Sequence, residues 1–195
     1  MDLSKIPTGD NPPEILNAVI EIPSGDSYTK YEFDKETGAL FVDRFLHTAM
    51  RYPANYGFIP RTLAADGDPI DVMVLCPAPV YPGTVIRCRP IGALMMEDEK
   101  GRDEKLLAVP VERLHPSHHT VKSYTDLTPH VLEHIAHFFE HYKDLEPGKW
   151  VKIGGWLGPE EACAIVRQAI ADYVGSPPRT SPEIAKGQPQ DGREA

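Results

Sequence analysis

The sequence predicts a mainly β protein with α-helices: a small closed β-barrel with helices packed outside it. Three observations carry that expectation. Short alternating or apolar segments bounded by Gly, Pro and Asp recur as far as Val109. Twenty prolines in 195 residues favour strands and turns over long helices. The two stretches with helical periodicity both come late, so strands gather first and helices cover them afterwards. The length suits one domain, expected over residues 1–175.

Residues 1–14 are polar with Pro12-Pro13 and precede a first strand, Ile15 to Ile22, in which Glu21 is the one charge. After a turn at Ser24-Gly25-Asp26, Tyr28 to Asp34 alternates in period two, which puts Lys30 and Glu32 on one face. Lys35-Glu36-Thr37-Gly38 turns the chain, and Ala39 to Phe45 returns as a strand with Arg44 on the parity of Leu40 and Val42. Proline-punctuated Met50 to Pro60 reads as extended. Asp71 to Cys76 is a strand, and Thr84 to Met96 a longer one bent or bulged at Gly92. A charged turn, Glu97 to Lys105, then leads to the strand Leu106 to Val109. Thr128-Pro129 starts a helix to about Lys143, with Leu132, Ile135, Phe139 and Tyr142 on its apolar face. Trp150 to Ile153 is a short strand, and Gly158-Pro159 opens a last helix buried through Ala162, Ile165, Val166, Ala169, Ile170 and Tyr173. Ser176 to Ala195 is rich in Pro, Gly and charge and reads as a disordered tail. A five-stranded barrel of the oligonucleotide-binding type is one candidate for this order.

Composition narrows the function. The balance of 29 acidic to 20 basic residues, net −9, argues against a nucleic-acid or anionic-membrane partner. Cys76, Cys88 and Cys163 are too scattered for a disulfide framework or a zinc site. No apolar signal segment or bilayer-length run is present, so the cytoplasm is the expected compartment.

Negative charge is concentrated at Asp66-Gly67-Asp68-Pro69-Ile70-Asp71. Carboxylates this close raise one another's pKa unless cations or donors hold them ionised, and oxygen-only ligands suit hard divalent ions, Mg2+ first. An EF-hand loop does not fit, because Ile70 and Asp71 stand where it needs an oxygen side chain and a glycine. A rigid turn and a metal site both remain open. In a barrel, strand ends meet at the rims, so Asp66, Asp68, Asp71, Asp98 and Asp103 are candidates to line one mouth. Isolated cations at Lys30, Arg44, Lys105 and Lys143 suit single contacts with substrate oxygens. A competing zinc pattern, His137-Phe138-Phe139-Glu140-His141, matches His-x-x-Glu-His, but no third ligand is identifiable and an interface face suits it better. Trp150, Trp156 and the aromatics at 52–58 read as core rather than as base-stacking platforms.

Taken in order, these motifs resemble the family I soluble inorganic pyrophosphatases in their bacterial form, from about residue 3 to 174. The resemblance rests on the Asp66 to Asp71 signature, Ile20 to Pro23, Lys30 to Glu32, Gly38 to Arg44, Tyr52 to Gly57, Asp98 to Lys105 and His137 to Lys143. It implies an oligonucleotide-binding-type five-stranded barrel and Mg2+-dependent hydrolysis of pyrophosphate to two phosphates, with Mn2+ or Zn2+ as substitute ions. It further implies Asp66, Asp71 and Asp103 as Mg2+ ligands and Asp98 as ligand to a substrate-borne ion, with Glu21 and Glu32 in support. Asp68 becomes the general base. Lys30, Arg44, Tyr56, Lys105, Tyr142 and Lys143 become phosphate contacts with Tyr52 beside them. A homohexamer is implied, and the histidine helix becomes a subunit contact, which retires the peptidase reading. Arg51 departs from the pattern, placing a cation where many relatives carry an apolar or aromatic residue.

Overall fold

The computed structural model describes residues 1–25 and 28–175; the predicted tail, 176–195, and part of the turn after Ser24 lie outside the described residues. Among these described residues eight strands and two α-helices follow in order: β1 (Leu16–Ile22), β2 (Thr29–Phe33), β3 (Leu40–Phe45), β4 (Asn55–Phe58), β5 (Asp71–Val74), β6 (Val85–Asp98), β7 (Gly101–Pro110), α1 (Pro129–His141), β8 (Val151–Leu157) and α2 (Pro159–Gly175).

The sheet runs β1-β4-β5-β7-β6-β8, and β1 also pairs with β6, so five strands close on themselves. This is the closed five-stranded sheet expected from the sequence. Within the ring, β5 and β7 pair in parallel while the other partners are antiparallel. β8 extends the sheet beyond the ring along β6, and β2 and β3 form a separate hairpin.

The strand period of two sends alternate residues into two apolar clusters. Val72, Val74, Leu106 and Ala108 join the one reached by Ala162, Val166 and Ala169 of α2. Met73, Leu107 and Val109 join the other, covered by Ile135, Phe138 and Phe139 of α1. Strands buried on both faces read as continuous apolar runs, as Val72-Met73-Val74 and Leu106-Leu107-Ala108-Val109 do. Gly57 is needed where β4 crosses β1, because a Cβ there would lie 1.9 Å from the Val19 carbonyl oxygen.

The expected irregularity at Gly92 is present as a register shift between Pro90 and Gly92. Three expectations need correction. Tyr173, near the end of α2, is 43% exposed rather than part of its buried stripe. Glu97 to Lys105 is not one long turn: β6 continues to Asp98 and β7 begins at Gly101. Pairing with β6 overrides the polar composition, matching Met96 with Asp103 and Leu94 with Lys105. The strand after Trp150 runs on to Leu157, carried past its glycines by a register shift opposite Met95 and Met96. Thr128 does stand at the N-cap of α1, although its side chain makes no capping bond; Pro129 takes the first helical place.

Candidate active site

At one mouth of the ring, Glu21, Glu32, Asp66, Asp68, Asp71, Asp98, Glu99 and Asp103 share a cleft of about 190 Å³ with Lys30, Lys35, Arg44, Lys100, Arg102, Lys105, Lys143 and Lys149. Eight acidic and eight basic side chains meet there among the described residues, so the mouth is far less acidic than the chain's net charge of −9 suggests. Tyr56 and Tyr142 line it too.

The 66–71 segment is a turn first. The Asp66 carboxylate accepts from its own turn, 2.9 Å from the Asp68 amide, and Gly67 takes the left-handed backbone at φ +86°. A second bond, Ala64 N to Asp68 O at 2.7 Å, closes the loop. Asp71 then opens β5, and the parallel register sets it opposite Lys105. The Lys105 ammonium, 4% exposed, donates to Asp71 at 2.5 Å and to Asp103 at 2.6 Å. Burial alone would favour its neutral form, but the two carboxylates outweigh it and hold Lys105 firmly protonated. Burial, reinforced by the nearby Asp71 charge, pushes Asp103 above the usual carboxylate range despite the pull of Lys105. Lys105 also lies 5.9 Å from the centre of the Tyr56 ring.

The hairpin β6–β7 supplies a second pairing. Asp98 accepts from Lys143 at 2.8 Å and from the Lys100 amide at 2.8 Å. Burial would raise its pKa, yet these bonds hold it below the ordinary value. Lys143 arrives just past the end of α1, whose Phe138 stacks on Tyr142 at 5.3 Å. Burial first, with neighbouring carboxylates, drives the Tyr56 and Tyr142 hydroxyls well above 10, so both remain protonated donors.

Glu21 lies beneath the mouth, 7% exposed, and accepts from the Phe33 amide at 2.8 Å. Burial, then Asp71 and Glu32, push it up to about 8. On the β2–β3 hairpin, Lys30 sits 3.0 Å from Asp43 and 3.3 Å from Glu32. Arg44 binds Asp43 at 2.9 Å and Glu146 at 3.1 Å.

All but one of the sequence-nominated residues line this cleft. Tyr52 is the exception: 2% exposed, it packs behind the mouth, 5.2 Å from the Tyr56 ring and 4.8 Å from Phe138. The α1 histidines stay outside it, with His141 bound to Asp144 at 2.8 Å. Sequence reasoning passed over Lys35, Asp43, Glu99, Glu146 and Lys149. Lys149 engages one oxygen of Glu99, while the buried Oε2 has no hydrogen-bond partner among the described residues and lies 3.8 Å from Lys143. Adjacency to Asp98 and Arg44 was the available signal for Glu99 and Asp43.

The donor set fits a hard divalent cation, since among the described residues the cleft offers many carboxylate oxygens and no imidazole or thiolate. Among the described residues, no three acidic, histidine or cysteine groups stand gathered as a ready cage. Lys105 sits between Asp71 and Asp103 instead, so an ion sharing those oxygens would displace its ammonium.

A closed barrel with so many opposed charges at one polar mouth defines a class: an enzyme domain built around a small, multiply charged site. Comparison with known proteins gives the family. The family model of inorganic pyrophosphatase matches residues 18–174. The inorganic pyrophosphatase of Caulobacter vibrioides is 65% identical over 173 residues, covering 89% of this chain and 98% of that protein. That of Rhodospirillum rubrum is 58% identical over 171 residues, covering 88% and 96%. The crystal structure of inorganic pyrophosphatase from Thermus thermophilus aligns with TM-score 0.84 at 46% identity, over 90% of this chain and 100% of that one. The chain belongs to the inorganic pyrophosphatase family, an enzyme family, as the motif resemblance implied.

Proposed function

We propose that this protein hydrolyses inorganic pyrophosphate to two orthophosphates by attack of an activated water, with Mg2+ as the metal. The observation that carries the reading is the convergence on one cleft of carboxylates from two rim segments with cations from the hairpin, β7 and the end of α1. The names of the high-identity relatives support it.

Pyrophosphate repels a nucleophile by its own charge until cations and donors cover its oxygens. Lys30, Arg44, Lys105 and Lys143 bind those oxygens, and Tyr56 and Tyr142 donate to them without adding charge. Asp66, Asp71 and Asp103 would hold Mg2+, Asp98 would hold an ion carried by the substrate, and Glu21 and Glu32 would support them. Mg2+ bound there would neutralise phosphate charge and acidify water. Asp68 takes a proton from the attacking water as its oxygen bonds to phosphorus, the bridging P–O bond breaks, and the departing phosphate keeps that bond's electron pair. Tyr52 acts from behind, by fixing the Tyr56 ring. Mn2+ or Zn2+ could take the same oxygens. A homohexamer in the cytoplasm completes the proposal; no helix among the described residues is long and apolar enough to cross a membrane.

The test is phosphate release from pyrophosphate and from ATP, each with Mg2+ and with chelator. Metal-dependent turnover of pyrophosphate in preference to ATP is expected. No metal-dependent turnover of pyrophosphate would sink the reading.

A further inference from the structure

The tip of the β2–β3 hairpin reaches the acidic turn through one side chain that neither the motifs nor the proposed roles use. Lys35 Nζ lies 2.5 Å from Asp68 Oδ1, bridging 33 residues of sequence. The turn that carries Lys35 is tightly made. The Thr37 amide and hydroxyl donate to Asp34 Oδ1 at 2.7 and 2.6 Å, and the Gly38 amide donates to the Asp34 carbonyl at 2.8 Å. Gly38 takes φ +65°, and the N-terminal ammonium pins its carbonyl at 2.9 Å. Opposite, the Asp68 backbone is fixed by bonds to Asp66 and Ala64. What remains to be set on each side is the side chain.

We propose that Lys35 is a positioning residue for hydrolysis: it selects the rotamer of the Asp68 carboxylate and ties the cationic hairpin to the acidic turn. The inference rests on the reading of Asp68 as the general base. Lys30 and Arg44 ride on the same hairpin, so one contact sets both the aim of the base and its distance from two substrate grips. The two side chains keep 34% and 53% of their exposure, and ion pairs this open add little to stability. Position is another matter, since a displacement of about 1 Å in a reacting group can lower turnover about a hundredfold. Lys35 therefore acts on rate while leaving the fold nearly untouched.

The experiment compares Lys35→Gln, Lys35→Arg and Asp68→Asn, alone and combined, by steady-state pyrophosphate hydrolysis, beside urea unfolding in chelator. Lys35→Gln should lower kcat about tenfold with KM changed less than about twofold and no shift of the unfolding midpoint. Lys35→Arg should restore most of kcat, and in Asp68→Asn the Lys35→Gln change should add less than about twofold, because both act through one carboxylate. An unchanged kcat overturns the proposal. So does a raised KM with kcat kept, the mark of a direct phosphate contact, or full additivity with Asp68→Asn. Turnover by the wild-type enzyme separates these failures from failure of the pyrophosphate reading itself.

Discussion

Replacing Glu21 by Gln should make the metal-free protein more stable at neutral pH, although it removes an ionisable group from the candidate site. Glu21 is 7% exposed, and burial first, then Asp71 and Glu32, lift its pKa from 4.5 to about 8. Between those values the folded chain keeps a proton that the unfolded chain releases, so stability falls as pH rises. Below 4.5 both states are protonated, and above about 8 both are ionised, so the slope lies between these limits. At about 1.4 kcal/mol per pH step, the whole span is worth about 5 kcal/mol. By pH 7 about 3 kcal/mol of that has been lost. Glutamine keeps an oxygen for the Phe33 amide, which Glu21 accepts at 2.8 Å, and does not titrate. The assay is urea unfolding in chelator from pH 5 to 9, followed by tryptophan fluorescence at fixed protein concentration so that assembly contributes equally. The variant should gain on the wild type with each pH step up to about 8, hold that lead to pH 9, and lead by about 1–3 kcal/mol at pH 7. Parallel stability curves, or a less stable variant at pH 7, would refute the assignment of a buried, proton-holding carboxyl.

Asp68→Asn should bind Mg2+ nearly as the wild type does, by calorimetry, while losing about a hundredfold or more in turnover; near wild-type activity removes Asp68 from the base role. Lys105→Met should destabilise the metal-free protein by about 3 kcal/mol, because it strands two carboxylates around a buried vacancy. That is the low end for a broken buried pair, since Asp71 and Asp103 keep 29% and 21% of their side-chain exposure. Denaturant midpoints with and without Mg2+ should show the deficit shrinking when the ion is supplied; an equal deficit in both conditions contradicts the shared-oxygen reading.

Local pattern exposed much of the fold in the sequence. Period-two alternation located the hairpin strands, Gly92 marked the irregularity in β6, and Thr128-Pro129 marked the start of α1. The same local reading misjudged 97–105, because composition there is wholly polar and the strand exists through its ladder to β6. Once that ladder is seen, Asp103 and Lys105 fall on one face by simple alternation. The motif residues were nameable because they are clustered or unusual, but their partnerships were not. Arg44 meets Glu146 across 102 residues, and Lys35 meets Asp68 across 33. No periodicity or spacing encodes such pairs; ring closure and the placing of the hairpin create them.

The parallel pairing of β5 with β7 has a consequence in time. Asp71 and Lys105 are 34 residues apart, and Asp98 and Lys143 are 45 apart. On a ribosome adding about 5–20 residues per second, the acidic loop emerges about 2–7 s before its principal cation exists. For that interval Lys35 is already available to Asp68, but Asp71 lacks its buried counter-ion and β5 has no neighbour on that side to clasp. Contacts this distant in sequence also form late in folding. The pairings of Asp71 with Lys105 and of Asp98 with Lys143 are therefore properties of the finished ring, and truncated or half-folded chains would carry both carboxylates without their buried counter-ions.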